Sequence, residues 1–141
     1  MNFEFSDEQN LLREQAQSFL ADKCPITAVR RVLDGDQSND AQLWRGMIDL
    51  GWTATSIPEE YGGSGLTMTA AAAIMEEIQA AGCNGAACHA QMYTMGTLLR
   101  HGSDEQKKKW LPKIASGELR LQAFGVTEPT SGTDTSSLKT F

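Results

Sequence analysis

The chain has 141 residues, with 12 Lys and Arg against 18 Asp and Glu for a formal net charge of −6, and 40% hydrophobic and 21% charged residues. That length suffices for one ordinary domain with a buried core, and the composition is that of a globular chain instead of a disordered or collagen-like one. The acidic balance argues against nucleic acid as a partner, because binding a phosphate backbone takes clustered cations, and no run approaches the roughly 18 apolar residues of a membrane span.

The opening Met1-Asn2-Phe3-Glu4-Phe5 lacks the basic-then-apolar pattern of a signal segment, so a cytoplasmic location is the simplest expectation. Cys24, Cys83 and Cys88 form an odd set without a Cys-x-x-Cys pair. They read as reduced, buried thiols, with neither a disulfide framework nor a zinc site expected. Lys107, Lys108 and Lys109 follow Asp104 and Glu105 and read as a solvated helix face.

Ser6-Asp7-Glu8-Gln9 has the form of a capping box and opens a first helix that ends near Cys24. Leu12, Ala16, Phe19 and Leu20 form its apolar stripe, while Arg13, Glu14, Gln17 and Asp22 lie elsewhere. Pro25 fits the first turn of a second, short helix whose apolar side is Ile26, Val29, Val32 and Leu33. After the polar run from Asp34 to Asn39, Asp40 caps a third helix bearing Leu43, Trp44, Met47, Ile48 and Leu50, and Gly51 ends it in the left-handed conformation.

Ile57-Pro58-Glu59-Glu60-Tyr61-Gly62-Gly63-Ser64-Gly65 reads as a tight loop without regular structure. It is not a phosphate cradle, since the Gly-Lys-Ser/Thr of a P-loop is missing. An alanine-rich helix comes next, from Thr67 or Thr69 to Ala81, with Ile74, Met75 and Ile78 inward and Gly82 as its stop. A further helix from about Gly85 to Arg100 carries Met92, Met95, Leu98 and Leu99. Ser103-Asp104-Glu105-Gln106 repeats the capping box, and Pro112 divides the next segment into two short helical pieces, Ser103 to Trp110 and Pro112 to Ser116.

From Leu119 to Val126 the period changes to two, which predicts a strand. The expected fold class is therefore mainly α, with helices followed by the start of a β-region. One strand leaves its backbone groups unpaired, so a continuation after Phe141 is expected on physical grounds alone.

That strand runs into Phe124-Gly125-Val126-Thr127-Glu128-Pro129-Thr130-Ser131-Gly132-Thr133-Asp134, a loop dense in hydroxyls. Thr127 and Thr133 can donate to ring nitrogens, carbonyls or phosphates, and Gly132 lets a flat ligand approach the backbone. By itself this is equally a turn held by local hydroxyl bonds. The loop resembles the signature of the acyl-CoA dehydrogenase family, and three further segments match the same family pattern in order. These are Ile57 through Leu66 with the following Met75-Glu76-Glu77-Ile78, then His101 through Lys107, then Trp110 through Glu118.

The resemblance covers nearly the whole chain and implies an N-terminal helical domain, a middle β-domain and a C-terminal four-helix bundle, with FAD held between them in a homotetramer. On that basis residues 1–118 are the helical domain and residues 119–141 the beginning of the β-domain. It also implies flavin contacts from Phe124, Val126, Thr127, Gly132 and Thr133, with Thr133 also touching the acyl-CoA. Thr130 stands where the family often has glycine, at a variable position. Glu128 and Asp134 match family carboxylates and read as acceptors that organise the loop.

The implied reaction is removal of the acyl α-proton by a carboxylate as the β-hydride passes to the flavin, leaving a trans-2-enoyl thioester, with electron-transferring flavoprotein as acceptor. The family's base lies in its C-terminal domain, so no catalytic residue is expected within these residues and the 141-residue chain alone is expected to be inactive. Loss of a positioned base costs on the order of 10²- to 10⁴-fold. Acyl-chain selection is expected from the segment His89 to Gly96, with His89 and Tyr93 as candidates against the plainer alternative of packing. Two competing readings are a flavin oxidase or monooxygenase on the same fold, and a non-catalytic helical binding module.

Overall fold

The computed structural model describes residues 4–120 and 125–140, without the side chains of residues 86, 87 and 90–94. Six α-helices occur among them: α1 (Asp7–Lys23), α2 (Ile26–Leu33), α3 (Ala41–Asp49), α4 (Met68–Ala80), α5 (Ala86–His101) and α6 (Asp104–Ala115). Short 3-10 turns occupy Trp52–Ala54, Glu59–Tyr61 and Thr135–Ser137. The mainly helical class expected from the sequence is the one observed.

Both capping boxes form. Ser6 accepts from the Gln9 amide and Gln9 from the Ser6 amide, and Ser103 and Gln106 repeat the exchange at α6. Asp40 accepts from the amides of Gln42 and Leu43, and Thr67 caps α4 through the Ala70 amide. Each such cap removes an orphan donor at a helix start and is worth about 1 kcal/mol. Pro25 sits one position earlier than expected, as the N-cap of α2, and the apolar side of that helix is only partly covered. Val29 and Val32 are half-buried, but Ile26 and Leu33 are exposed.

Two apolar clusters hold the helices. The first joins Ala16 and Leu20 of α1, Met47 of α3, Trp52, Ile74 and Ile78 of α4, and Cys24, Cys83 and Cys88. Phe19 meets Trp52 edge-on at 5.3 Å between ring centroids. The second joins Ala54, Ile57, Ala71, Met95 of α5, and Leu111 and Ile114 of α6. Burial of each large aliphatic side chain contributes roughly 1.5–3 kcal/mol, so these two clusters supply the main cohesion. α1 packs along α4, while α5 packs against α6 and the Trp52–Ala54 turn. α4 and α5 meet in both clusters, through Ile74, Ile78 and Cys88 in the first and through Ala71 and Met95 in the second.

The segment from Trp52 to Leu66 is more ordered than the glycines and proline suggested. The 3-10 turn Glu59–Tyr61 lies inside it, and the chain folds back so that the amides of Ser64, Gly65 and Leu66 donate to the carbonyls of Ala54, Ile57 and Thr55. Gly63 makes that approach possible, since a Cβ there would lie 2.1 Å from the Ile57 carbonyl oxygen. At the far end of α4, Gly82 adopts φ 77°; its amide donates to the Gln79 carbonyl and the Cys83 amide donates to Ile78. This double bond pattern is a Schellman stop, which satisfies two of the helix's last carbonyls.

Three expectations change. α6 is one helix with Pro112 inside it, not two pieces meeting at a kink. Pro112 forfeits the one bond that an N–H there would make to the Lys108 carbonyl, and Leu111 and Ile114 on either side are fully buried and hold the helix in place. Cys24 and Cys83 are not free thiols: they form a disulfide across 59 residues, with Cα atoms 6.7 Å apart. Only the packing of α1 on α4 brings these positions together, which no local spacing reveals. Cys88 is the buried free thiol that the sequence reading expected of all three, and burial pushes its thiol up to about 11.

The third concerns the strand. Its centre, residues 121–124, lies outside the described residues, and the flanking Leu119, Arg120, Gly125 and Val126 are not part of a hydrogen-bonded strand. The described β-pairing is a single antiparallel bridge between Glu128 and Ser131.

Candidate functional site

The loop from Gly125 to Thr140 is organised by two carboxylates. Glu128 and Ser131 exchange backbone hydrogen bonds of 2.8 and 3.2 Å across the Pro129-Thr130 turn. The Glu128 carboxylate then accepts from the amides of Lys139 and Thr140, at 2.9 and 2.8 Å, and from the Thr140 hydroxyl. Asp134 caps the Thr135–Ser137 turn, accepting from the Ser136 amide at 3.2 Å and from the hydroxyls of Ser136 and Ser137. The buried Ser131 hydroxyl donates to the Asp134 carbonyl, tying the two halves together.

These bonds favour the charged carboxylates. The Thr140 hydroxyl, then the Lys139 and Thr140 amides, hold Glu128 below the usual carboxylate range, and the Ser136 and Ser137 hydroxyls do the same for Asp134. A general base operating at neutral pH needs its pKa raised toward 7, so neither carboxylate is suited to that role. Their part is to hold the loop's shape.

Held this way, the loop presents Gly125, Thr127, Gly132 and Thr133 to solvent, with Val126 half-buried. Thr127 and Gly132 are side by side across the turn: a Cβ on Gly132 would meet the Thr127 methyl at 3.9 Å. The surface therefore offers hydroxyl donors beside backbone that carries no side chain, which fits a flat, polar ring system better than a bulky aliphatic group. Phe124 lies outside the described residues.

A second feature is the cleft of about 590 Å³ between α4 and α5, lined by Met68, Ala72, Met75, Glu76, Gln79, His89, Gly96, Thr97 and Arg100. Its walls are methionines and alanine from α4 and the Gly96 backbone of α5; polar groups gather at Glu76, Gln79, His89 and Arg100. His89, expected to border an acyl chain, does line this cleft. Tyr93 belongs to α5, but its side chain is among those not described. Sequence reasoning missed the α4 wall, although Met68, Ala72, Met75 and Gln79 at spacings of four, three and four mark one helix face.

Behind that wall, α4 is fixed to α1 by a part-buried polar network that the sequence reading also missed. Arg13 Nε donates to Glu77 Oε1 at 2.7 Å and Gln17 Nε2 to Glu77 Oε2 at 2.9 Å. Glu77 is 6% exposed, and the Gln17 hydrogen bond, followed by Arg13, holds its carboxyl below the usual range despite burial. Arg13 and Gln17 are four residues apart on one face of α1, which was the available signal. No helix of the described residues is long and apolar enough to cross a membrane, and no cluster of three or more metal-ligating side chains occurs among them.

The sequence profile of the acyl-CoA dehydrogenase N-terminal domain matches residues 6–118. Acyl-CoA dehydrogenase FadE12 of Mycobacterium tuberculosis is 34% identical over 138 residues, covering 96% of this chain and 34% of its own length. Glutaryl-CoA dehydrogenase of Desulfococcus multivorans is 36% identical over 142 residues, covering 95% of this chain and 35% of its own length. Among solved structures, an acyl-CoA dehydrogenase from Bacillus anthracis complexed with FAD superposes with a TM-score of 0.73 at 29% identity, covering 94% of this chain and 23% of that one. The chain thus spans about a third of the length of these curated relatives. On the profile match over most of its residues, the chain belongs to the acyl-CoA dehydrogenase family and carries that family's N-terminal domain.

Proposed function

We propose that the chain is the front third of an FAD-dependent acyl-CoA dehydrogenase that converts an acyl-CoA to its trans-2-enoyl-CoA. The observation that supports this reading is the carboxylate-braced loop in which Thr127, Gly132 and Thr133 are each exposed. Residues 1–118 serve as the helical domain and residues 119–141 begin the β-domain.

The chemistry a flavin supplies when bound is acceptance of a hydride from the acyl β-carbon as the α-proton leaves. The chain's own residues orient that exchange. Thr127 would hold the ring's polar edge through its hydroxyl, Gly132 would leave the ring room, Thr133 would serve both ring and thioester, and Val126 and, by the family resemblance, Phe124 would complete the contacts. Hydrogen bonds from these residues would stabilise the charge that develops as the proton is lost. His89 of α5 would border the acyl tail along the α4–α5 cleft with Met68, Ala72 and Met75, and Tyr93 of the same helix is the second candidate from the sequence.

Glu128 and Asp134 are engaged as acceptors, so the proton is taken by a carboxylate from the remainder of the enzyme, and the 141-residue chain alone does not turn over. The whole enzyme is a cytoplasmic homotetramer that passes its electrons to electron-transferring flavoprotein.

The test is a pair of substitutions in the enzyme that carries this chain, Thr127→Val and Thr133→Val, read by FAD titration and by acyl-CoA-dependent dye reduction. Loss of one hydroxyl bond to bound flavin weakens FAD by roughly tenfold, from about 1–1.5 kcal/mol. Unchanged FAD affinity in both variants refutes the assignment of the loop. Reduced enzyme that is reoxidised directly by oxygen at a catalytic rate replaces the dehydrogenase reading with an oxidase.

A further inference from the structure

α5 runs back along α4: Gly85 at its start packs against Met75, Gln79 and Ile78, and further along Met95 shares the second cluster with Ala71. Ala72 and Gly96, the next residues of the two helices, therefore stand at one level, and both line the cleft of about 590 Å³ between them. His89 lies toward one end of that cleft and Arg100 toward the other. At roughly 1.5 Å per residue of helix they are about 16 Å apart.

Among the described residues, two glycines lie inside α-helices. Gly46 of α3 is required by packing, since a Cβ there would fall 2.6 Å from the Phe19 ring. Gly96 of α5 is not, since a Cβ there would meet no described atom within 4 Å. Glycine in a helix interior weakens the folding equilibrium about fivefold relative to alanine, so Gly96 carries a cost that the described packing does not explain. What its missing side chain leaves is open width in the cleft, opposite the small side chain of Ala72.

We propose that Gly96 sets the acyl-chain length this cleft accepts, and that the tail it admits is a long one, of about twelve carbons. The inference rests on the acyl-tail reading of the cleft and names the substrate class for it. An extended chain advances about 1.2 Å per bond, so the span from His89 to Arg100 corresponds to roughly thirteen bonds. Such a tail passes between Ala72 and Gly96, with the flexible thioether side chains of Met68 and Met75 fitting themselves to it. A butyl tail ends short of Gly96 whichever end holds the thioester, because Gly96 is about 10 Å from His89 and about 6 Å from Arg100 along the helix. A side chain at position 96 thus obstructs the long tail and spares the short one.

The test uses the purified enzyme that carries this chain and two thioethers of coenzyme A, S-dodecyl and S-butyl. They carry the tail without a thioester carbonyl, so no α-proton is activated and binding is read by calorimetry without turnover. The unsubstituted enzyme is expected to bind the S-dodecyl thioether more tightly. Gly96→Leu is expected to weaken that ligand by about tenfold or more, through overpacking of an occupied channel, and to leave the S-butyl thioether within about twofold. Ala72→Leu, from the facing wall, repeats the loss should Gly96→Leu not fold. Gly96→Ala is expected to shift the folding equilibrium about two- to fivefold toward the folded state in denaturant unfolding, because its Cβ has room. The proposal is overturned if the unsubstituted enzyme does not prefer the longer tail, if the leucine variants leave both ligands unchanged or weaken both alike, or if Gly96→Ala destabilises. The dehydrogenase reading fails separately, when length-selective binding that depends on Gly96 is found in an enzyme whose flavin no acyl-CoA bleaches.

Discussion

Replacing Arg13 with Met keeps most of the aliphatic stem and removes the guanidinium that meets Glu77 at 2.7 Å. Glu77, 6% exposed, is then left with the Gln17 amide as its remaining side-chain donor. A hydrogen bond to a charged group is worth about 1.5–3 kcal/mol, and the stacking of Arg13 over the Phe5 ring, at 4.8 Å, adds about 0.5 kcal/mol. The 3.9 Å approach to Glu76 adds little, since that side chain is 61% exposed. Arg13→Met is expected to cost about 2–3 kcal/mol at neutral pH. Glu77 has a folded-state pKa depressed below its unfolded value, so its contribution is present above the unfolded value near ~4.3 and is lost as pH falls through the folded one. The penalty of Arg13→Met therefore shrinks on acidification. Denaturant unfolding of both proteins at pH 7 and across the acid range reads it, and a cycle with Glu77→Gln isolates the pair. A penalty below about 0.5 kcal/mol at pH 7, or one that does not change with pH, refutes the reasoning.

Other perturbations act through single contacts. Gly63→Ala places a Cβ against the Ile57 backbone and is expected to destabilise by about 3 kcal/mol, read as a lowered unfolding midpoint. Ser103→Ala removes one arm of the α6 capping box and costs about 1 kcal/mol in the same assay. Ile114→Ala, at a fully buried site in the second cluster, costs about 3 kcal/mol and leaves a cavity. Glu128→Gln weakens the clamp on the Lys139 and Thr140 amides, so tryptic cleavage after Lys139 accelerates at neutral pH.

Much of the helical layout was legible because its signals are local. Ser6, Asp40 and Ser103 each announce a helix start within four residues, and Gly51 and Gly82 mark stops that the backbone adopts at φ 74° and 77°. The features that escaped the sequence depend on distant partners. Glu77 is surrounded by ordinary helix formers, and only the packing of α1 on α4 makes it a buried carboxylate needing Arg13 and Gln17. The Cys24–Cys83 bond has the same origin, since a sequence separation of 59 carries no cue to the approach of the two ends. Pro112 misled because the cost of one forfeited helix bond is offset by the burial of Leu111 and Ile114 beside it, which is a tertiary contact. In the candidate site, the loop's hydroxyls and carboxylates could be read as a cluster, but not which carboxylate braces which amide, because Glu128 reaches eleven and twelve residues ahead.

Whether these residues form the flavin- and acyl-facing front of a dehydrogenase is decided most directly by the flavin itself. Acyl-CoA thioesters are added anaerobically to the purified enzyme that carries this chain, reconstituted with FAD, while the oxidised-flavin absorbance is followed. The expected result is that a thioester bleaches that absorbance with formation of a trans-2-enoyl-CoA, and that Thr133→Val slows the bleaching. Enzyme that binds no FAD, or that holds FAD yet is bleached by no acyl-CoA, would contradict that assignment.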